Sequence, residues 1–158
     1  SVYELFVGLL LFSPSSWVAK HELMYLPLFR KAIKVFGFIP VKRGLGKSEV
    51  SRVIRDGTAR LSEGNWIVIF PEGTRVPHGK TKRYGLSGAL LAVGTSSNIT
   101  PIAHNAGRYW GRRSLIKKRG SVVFSVGSQI STFGKSYDEI NEEAKTWIDA
   151  ETKRIDSL

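Results

Sequence analysis

Cysteine is absent from the 158-residue sequence, which excludes disulfides, thiol nucleophiles and cysteine-based metal sites. Histidine is also scarce, and His21, His78 and His104 do not have the spacing of metal ligands. We therefore expect no metal site.

Long apolar runs are missing as well. The run Leu5–Phe12 has eight residues and is interrupted by Gly8, whereas a helix that crosses a bilayer needs about 20 apolar residues. No basic stretch precedes the run, as a secretory signal would require. The sequence also begins with Ser1 rather than Met, and we expect that a segment upstream of Ser1 is missing.

Acidic residues are few, with 13 Asp and Glu against 24 Lys and Arg and a net charge of +11. This bias favours an anionic partner, which could be a phosphate-bearing substrate, membrane headgroups or a nucleic acid. A nucleic-acid-binding module would need exposed aromatic residues interleaved with the basic ones. Most aromatic residues here lie on apolar faces, so we expect no nucleic-acid partner.

Helical and strand patterns alternate along the chain. Helices are predicted over 3–12, 27–36, 48–63, 88–94 and 136–155, the last opened by a capping box of Ser136 and Glu139. Strands are predicted over 16–19, 38–42, 66–70, 99–103 and 122–126. The strand over 66–70 is apolar throughout and is expected to be covered on both faces. The alternation predicts a single α/β domain with a largely parallel central sheet flanked by helices.

The segment Phe70–Arg75 directly follows the most apolar strand. Loops at the carboxyl ends of strands build ligand sites in α/β folds. Glu72 offers a carboxylate, Gly73 a close backbone approach, Thr74 a hydroxyl, and Arg75 a guanidinium that can hold a phosphate through two hydrogen bonds. A polar turn with a solvated Arg–Glu pair explains the same residues equally well, so the pattern alone leaves both interpretations open.

Several blocks resemble those of one enzyme family in order and spacing. Phe70–Arg75 resembles the FPEGTR block of the glycerolipid acyltransferases of the 1-acylglycerol-3-phosphate acyltransferase type, Gly37–Arg43 resembles their second block, and Ile99–Ile102 resembles their fourth. The stretch Ala103–Gly107 is similar to the bacterial branch. The resemblance covers nearly the whole chain and implies a glycerol-3-phosphate acyltransferase-like fold for an acyltransferase domain over residues 1–158.

The first block of that family is His, four residues, then Asp or Glu. Ser1–Glu4 matches the last four positions of His-Gln-Ser-x-x-Glu. The resemblance therefore implies that Glu4 is the acid partner of a histidine upstream of Ser1, and that the chain as it stands is inactive without that residue. From the residues alone, Glu4 is an ordinary first-turn glutamate. His21 is expected at the surface, and His104 is expected to be a structural histidine.

The resemblance implies transfer of a fatty acyl group from acyl-CoA or acyl-ACP to the free hydroxyl of a lysophospholipid. The expected acceptor is 1-acylglycerol-3-phosphate, and the product is phosphatidic acid. Arg43 and Arg75 are implied as the main ligands of the acceptor phosphate, with Lys82 and Arg83 as secondary ones. Glu72, Gly73 and Thr74 are implied to shape the acceptor loop. No cofactor is implied, because the acyl thioester is a cosubstrate.

An anionic membrane surface is the remaining predicted partner, because the acceptor resides in a bilayer. The resemblance implies a position on the cytoplasmic face of the bacterial inner membrane, either peripheral or anchored through the missing N-terminal segment. The predicted helix over 27–36 is basic and amphipathic and could lie in the interface. Two alternatives stay open at this point, a catalytically inactive lipid- or phosphate-binding fragment and a basic nucleic-acid-binding module.

Overall fold

A computed structural model of the protein describes residues 3–25, 37–42, 47–74, 76–77, 79–111 and 116–158. The helices in these ranges are α1 (Tyr3–Leu11), α2 (Lys47–Ser62), α3 (Ser87–Gly94), α4 (Ala106–Tyr109) and α5 (Tyr137–Asp156). The strands are β1 (Ser15–Lys20), β2 (Ile39–Val41), β3 (Trp66–Val68), β4 (Ile102–His104) and β5 (Phe124–Val126), and a 3₁₀ turn covers His21–Tyr25.

The strands form a parallel sheet and a separate antiparallel pair. β1 lies between β2 and β3 and is parallel to both, with Val18 opposite Ile39 and Ser15 opposite Trp66. β4 and β5 pair antiparallel. The predicted α/β fold with a largely parallel sheet is therefore confirmed, and the carboxyl ends of β1, β2 and β3 meet at one edge.

β3 is shorter than the predicted strand, and the side chains at both ends of the predicted range are more exposed than expected. It ends at Val68 rather than Phe70, and the side chains of Trp66 and Phe70 are 46% and 40% exposed. The expectation that 66–70 is covered on both faces was therefore wrong at both ends. The physical reason is position, because β3 is an outer strand of the three-stranded sheet and, among the described residues, pairs with a strand on one side only.

Helix α1 is held against the parallel sheet by a close approach to Trp17 of β1. A β-carbon built at Gly8 would lie 2.3 Å from the Trp17 ring, so a larger residue could not occupy this position without moving the helix or the buried ring. The glycine that interrupts the apolar run thus allows α1 to pack on β1. This contact places the N-terminal turn of α1, with Glu4, relative to the sheet.

Helix α5 packs on the other part of the molecule. Its buried Ile140 and Ala144 form a cluster with Ala89 of α3 and with Ile130. The predicted capping box is confirmed, since Ser136 accepts from the Glu139 N–H and the Glu139 carboxylate accepts from the Ser136 N–H. The helix predicted over 27–36 lies outside the described residues.

Candidate active site

The segment after β3 makes a tight turn over residues 70–73. The Gly73 N–H donates to the Phe70 carbonyl at 3.0 Å, and Gly73 has a φ of 63°. Pro71 occupies the second position, where its fixed φ suits a β-turn, and glycine supplies the left-handed conformation at the fourth. The Gly85 N–H donates to the Pro71 carbonyl at 2.7 Å. The turn is therefore tied to the 80–86 segment, and the orientation of Glu72 is fixed from both sides.

Glu72 is the electrostatic centre of the region. Burial raises the pKa of its carboxyl above the ordinary value of 4.5, and the negative charges of Asp149 and Glu4 raise this pKa further. Its own backbone N–H and the charge of Lys82 act in the opposite direction. The structure thus brings Glu4 and Lys82, both singled out from the sequence, within electrostatic reach of Glu72.

Glu4 lies in the first turn of α1, and its side chain is 12% exposed. Its Oε2 is 3.4 Å from Nε2 of His104, the last residue of β4. Burial lowers the pKa of His104 below its ordinary value, although the neighbouring Glu4 charge opposes this shift. His104 was expected to be a structural histidine, and its contact with the predicted acid Glu4 was not expected from the sequence.

Tyr84 and Asp149 also belong to this region, and sequence reasoning missed both. Burial raises the pKa of the Tyr84 phenol, and Glu72 and Asp149 raise it further. Asp149 pairs with Lys145 at 2.6 Å, and the Lys145 ammonium lies 6.0 Å from the centre of the Tyr84 ring. Asp149 is one of several acidic residues on α5, and no motif distinguishes it. Of the two, Tyr84 was easier to predict from the sequence, because it directly follows Lys82 and Arg83.

The basic side of the region lies along the 80–86 segment. Lys82 and Arg83 are exposed and line a cleft of about 550 Å³ between this segment and α5. Asp138 and Glu142 line the same cleft, so its charge is mixed. Gly73 is exposed and Thr74 partly buried. Arg43 and Arg75 lie outside the described residues, as does His78, and the phosphate-binding role of the two arginines stays a prediction.

Comparison with known proteins decides the family. A sequence model of the family described as Acyltransferase matches residues 5–105, which is more than half of the chain. The chain belongs to the acyltransferase family. The matched range includes the Glu72 turn and His104, whereas Glu4 lies one residue before it.

Curated relatives of this acyltransferase-family chain agree with the match. It is 34% identical over 151 residues to a 1-acyl-sn-glycerol-3-phosphate acyltransferase of Pseudomonas aeruginosa, covering 94% of this chain and 59% of the relative. It is 25% identical over 142 residues to a protein of the same name from Borreliella burgdorferi, covering 89% of this chain and 56% of the relative. The chain thus spans somewhat more than half the length of these relatives.

A solved structure supports the fold. The crystal structure of the 1-acyl-sn-glycerophosphate acyltransferase PlsC from Thermotoga maritima superposes on this acyltransferase-family chain with a TM-score of 0.80 and 18% identity. The match covers 100% of this chain and 64% of that chain. It confirms the predicted glycerol-3-phosphate acyltransferase-like fold.

Two kinds of feature are absent from the part of the chain that the structure describes. No helix there is both long and apolar enough to cross a bilayer. No group of three or more His, Asp and Glu side chains in those same ranges is arranged to hold a metal ion.

Proposed function

We propose that the protein transfers a fatty acyl group from a thioester to the free hydroxyl of 1-acylglycerol-3-phosphate, giving phosphatidic acid. The observation that carries this proposal is the 34% identity, over 94% of the chain, with the Pseudomonas aeruginosa relative named for that acceptor. The proposed donor is acyl-CoA or acyl-ACP.

The reaction needs a base at the acceptor hydroxyl. As the hydroxyl oxygen attacks the thioester carbonyl, a base takes its proton, the C–S bond breaks, and the proton passes to the leaving thiolate. The product is an ester and a free thiol, so no covalent acyl-enzyme is required. We assign the base to a histidine five positions before Glu4, following the resemblance of Ser1–Glu4 to the first family block.

Glu4 is proposed to orient that histidine and to stabilise its protonated form, as the acid does in other His–acid pairs. The low exposure of the Glu4 side chain, at 12%, supports this role because a shielded carboxylate acts on a neighbouring imidazolium more strongly than a solvated one. Glu72 is proposed to face the acceptor glycerol from the turn after β3. Gly73 and Thr74 complete the same loop.

The acceptor phosphate is proposed to bind Arg43 and Arg75, with Lys82 and Arg83 as outer cations. The exposure of Lys82 and Arg83 supports a secondary role, because solvent and salt screen exposed charges. We further propose that the protein works at the cytoplasmic face of the inner membrane as a peripheral or N-terminally anchored enzyme. An acceptor embedded in a bilayer requires the site to reach the interface.

The test compares residues 1–158 with the same chain preceded by the upstream segment that is proposed to carry the base. Each is incubated with lysophosphatidic acid and either acyl-CoA or acyl-ACP, and release of free thiol is measured together with phosphatidic acid. We expect turnover by the extended chain only. Equal turnover by the two forms would contradict the assignment of the base upstream of Ser1. If the extended chain binds the acceptor but turns over none of the substrates, it is the inactive lipid-binding protein that the sequence left open.

A further inference from the structure

The contact between Glu4 and His104 joins two elements that lie far apart in the sequence. Glu4 belongs to the first turn of α1 and His104 to the end of β4, and 3.4 Å separates Oε2 from Nε2. Both side chains are largely shielded, with exposures of 12% and 27%. A charged oxygen and an imidazole nitrogen at this distance in a shielded place interact more strongly than the same pair in water.

The two ring nitrogens of His104 have different surroundings. Nε2 faces Glu4, whereas Nδ1 is buried and has no hydrogen-bond partner among the described groups. Since burial lowers the pKa of His104, the ring is neutral near pH 7 and carries one N–H. With that proton on Nε2, the ring donates toward the carboxylate and Nδ1 needs no acceptor. Neither nitrogen is then placed to take a proton from a substrate.

The position of His104 is fixed by its neighbours. Its ring lies against Phe124, its partner across the β4–β5 pair, with 5.2 Å between ring centres. The next residue, Asn105, is buried, accepts from the Val123 N–H at 2.8 Å, and donates to the Ile155 carbonyl at 3.4 Å. The end of β4 is therefore held to β5 and to α5, and a donor on such a support can orient a neighbouring group.

We infer that His104 is a positioning residue that donates Nε2–H to Glu4 and so fixes the direction in which this carboxylate faces the catalytic imidazole. The inference rests on the proposed function, in which Glu4 is the acid partner of the base. The like charge of Glu72 is close enough to Glu4 to act on it electrostatically, and a fixed donor offsets that repulsion.

The test uses His104→Phe and His104→Gln in the active, extended enzyme. Phe keeps a flat ring and removes the donor, whereas the Gln amide nitrogen can reach the place of Nε2. We expect kcat of the Phe variant to fall about ten- to hundredfold, the effect of losing a hydrogen bond to a charged group, while KM for both substrates changes little. The Gln variant should recover most of the loss.

The pH dependence of kcat/KM distinguishes the positioning role of His104 from a role in packing alone. Glu4 of α1 faces His104, Glu72 of the turn acts on Glu4, and β5 contributes the Phe124 ring. Without the donor, the whole Glu4 charge acts on the catalytic imidazolium, so the acid limb of kcat/KM should move to higher pH in His104→Phe and return in His104→Gln. Unchanged kcat and an unchanged limb in His104→Phe would overturn the inference and leave the proposed function standing.

Two further measurements distinguish a failure of this inference from a failure of the proposed function. If Glu4→Gln turns over as fast as the parent enzyme, it is the proposed function of Glu4 that fails. Nitrogen-15 spectra of the parent should show His104 neutral at pH 7 with its proton on Nε2. A proton on Nδ1, or a charged ring, would overturn the inference even if the Phe variant did not fold.

A second, independent observation concerns the surface formed by residues 108–111 and 116–119. Ile116 is 77% exposed, Lys117, Lys118 and Arg119 are exposed, and the Lys117 ammonium lies 4.4 Å from the centre of the Trp110 ring. The Lys118 N–H donates to the Tyr109 carbonyl at 2.8 Å, which fixes this basic surface to α4. Since α4 follows β4 almost directly, the surface lies close along the chain to His104.

From these features the structure assigns to this surface the binding of anionic phospholipid headgroups. Exposed lysine and arginine attract an anionic bilayer, an exposed isoleucine can enter its interface, and tryptophan is enriched at that depth. This proposal deepens the membrane association within the proposed function. It also differs from the sequence-based expectation, which gave that contact to the helix predicted over 27–36.

Sedimentation with phosphatidylglycerol vesicles, and with neutral phosphatidylcholine vesicles, tests this assignment. Replacing Lys117, Lys118 and Arg119 with Ser should weaken binding to the anionic vesicles by about fivefold per residue. The matched control replaces Lys47, Arg55 and Lys153, which are exposed residues of other elements, and removes the same charge. Equal losses in the two triple variants, or a loss only when Arg30, Lys31 and Lys34 are replaced, would overturn the assignment. Activity on a detergent-dispersed acceptor, unchanged in the variant, separates this result from the proposed function.

Discussion

In the candidate active site, the carboxylates are shielded from solvent, whereas the cations are exposed to it. Glu4 is shielded in the first turn of α1 and contacts His104, and Glu72 is partly buried in a turn held on both sides. Lys82 and Arg83 lie on the outside of the neighbouring segment and line an open cleft. The carboxylates of the site are thus shielded, whereas Lys82 and Arg83 are exposed at its described rim, where Asp138 and Glu142 also lie.

The two groups of residues depend on the fold to different degrees. Burial raises the pKa of Glu72, and neighbouring negative charge adds to this shift, whereas burial lowers the pKa of His104 against the opposing charge of Glu4. Such shifts are typical of sites that move protons. The electrostatic effect of an exposed cation depends less on the fold, because solvent and salt screen its charge. We therefore expect changes in the interior to act mainly on the chemical step and changes at the rim to act mainly on binding.

The largest expected effect comes from Glu4→Gln in the extended enzyme. Because the amide cannot stabilise a protonated imidazole, kcat should fall by roughly 10²–10⁴-fold, with little change in acceptor KM. Steady-state kinetics with lysophosphatidic acid measure both. Glu63→Gln, the same change at an exposed ion pair with Arg60, is the control and should behave as the parent. A fall in the control as large as that in Glu4→Gln would contradict the proposed role of Glu4.

The next effect belongs to the two arginines that were predicted from the resemblance. Replacing Arg43 or Arg75 with Ala should raise acceptor KM, or lower kcat/KM, by about ten- to hundredfold, since a lost charge-assisted bond costs about 1.5–3 kcal/mol. The thioester KM should move less. Arg55→Ala, at an exposed pair with Asp56, is the control. Normal acceptor binding by both variants would remove these residues from the proposed phosphate site.

Local sequence signals predicted much of the fold. The capping box at Ser136 needs only residues three apart, so it could be recognised without tertiary information. The strand predicted over 99–103 is divided in the structure. Ile99 pairs with Ile130, and β4 begins after Pro101, which has no N–H to donate to a neighbouring strand. The four-residue helix α4 was not predicted, since it is too short to show helical periodicity.

The site itself was predictable only in part. Glu4 and Glu72 were predicted as site residues because they fall in the family blocks, and these roles stay predictions. Their common surroundings depend on how α1 and the turn after β3 pack. The contact of Glu4 with His104 and the approach of Asp149 to Glu72 join residues far apart in the chain. Periodicity and spacing carry no information on such pairs, because tertiary packing decides them.

A smaller effect, on stability, is expected from Glu72→Gln. A carboxylate whose pKa is raised in the folded protein destabilises the fold at any pH above that pKa, and protonation relieves this cost as pH falls. The variant should therefore melt a few degrees higher at pH 7, and the difference should vanish as pH approaches the ordinary value of 4.5. Calorimetry at several pH values measures this. Glu143→Gln, at the exposed pair with Lys135, should show no such gain, and a lower melting temperature of Glu72→Gln at pH 7 would contradict the prediction.

The smallest effect is expected at the rim, from Lys82→Ala and Arg83→Ala in the extended enzyme. An exposed ion pair contributes about 0.2–1 kcal/mol, so each substitution should raise acceptor KM by no more than about fivefold and leave kcat unchanged. Because salt screens such charges, the difference from the parent should shrink as ionic strength rises, whereas the Glu4→Gln defect should persist. Lys153→Ala, an exposed cation on α5, is the control. A large, salt-independent fall in kcat for Lys82→Ala would place this residue with the interior group, where its charge already acts on Glu72.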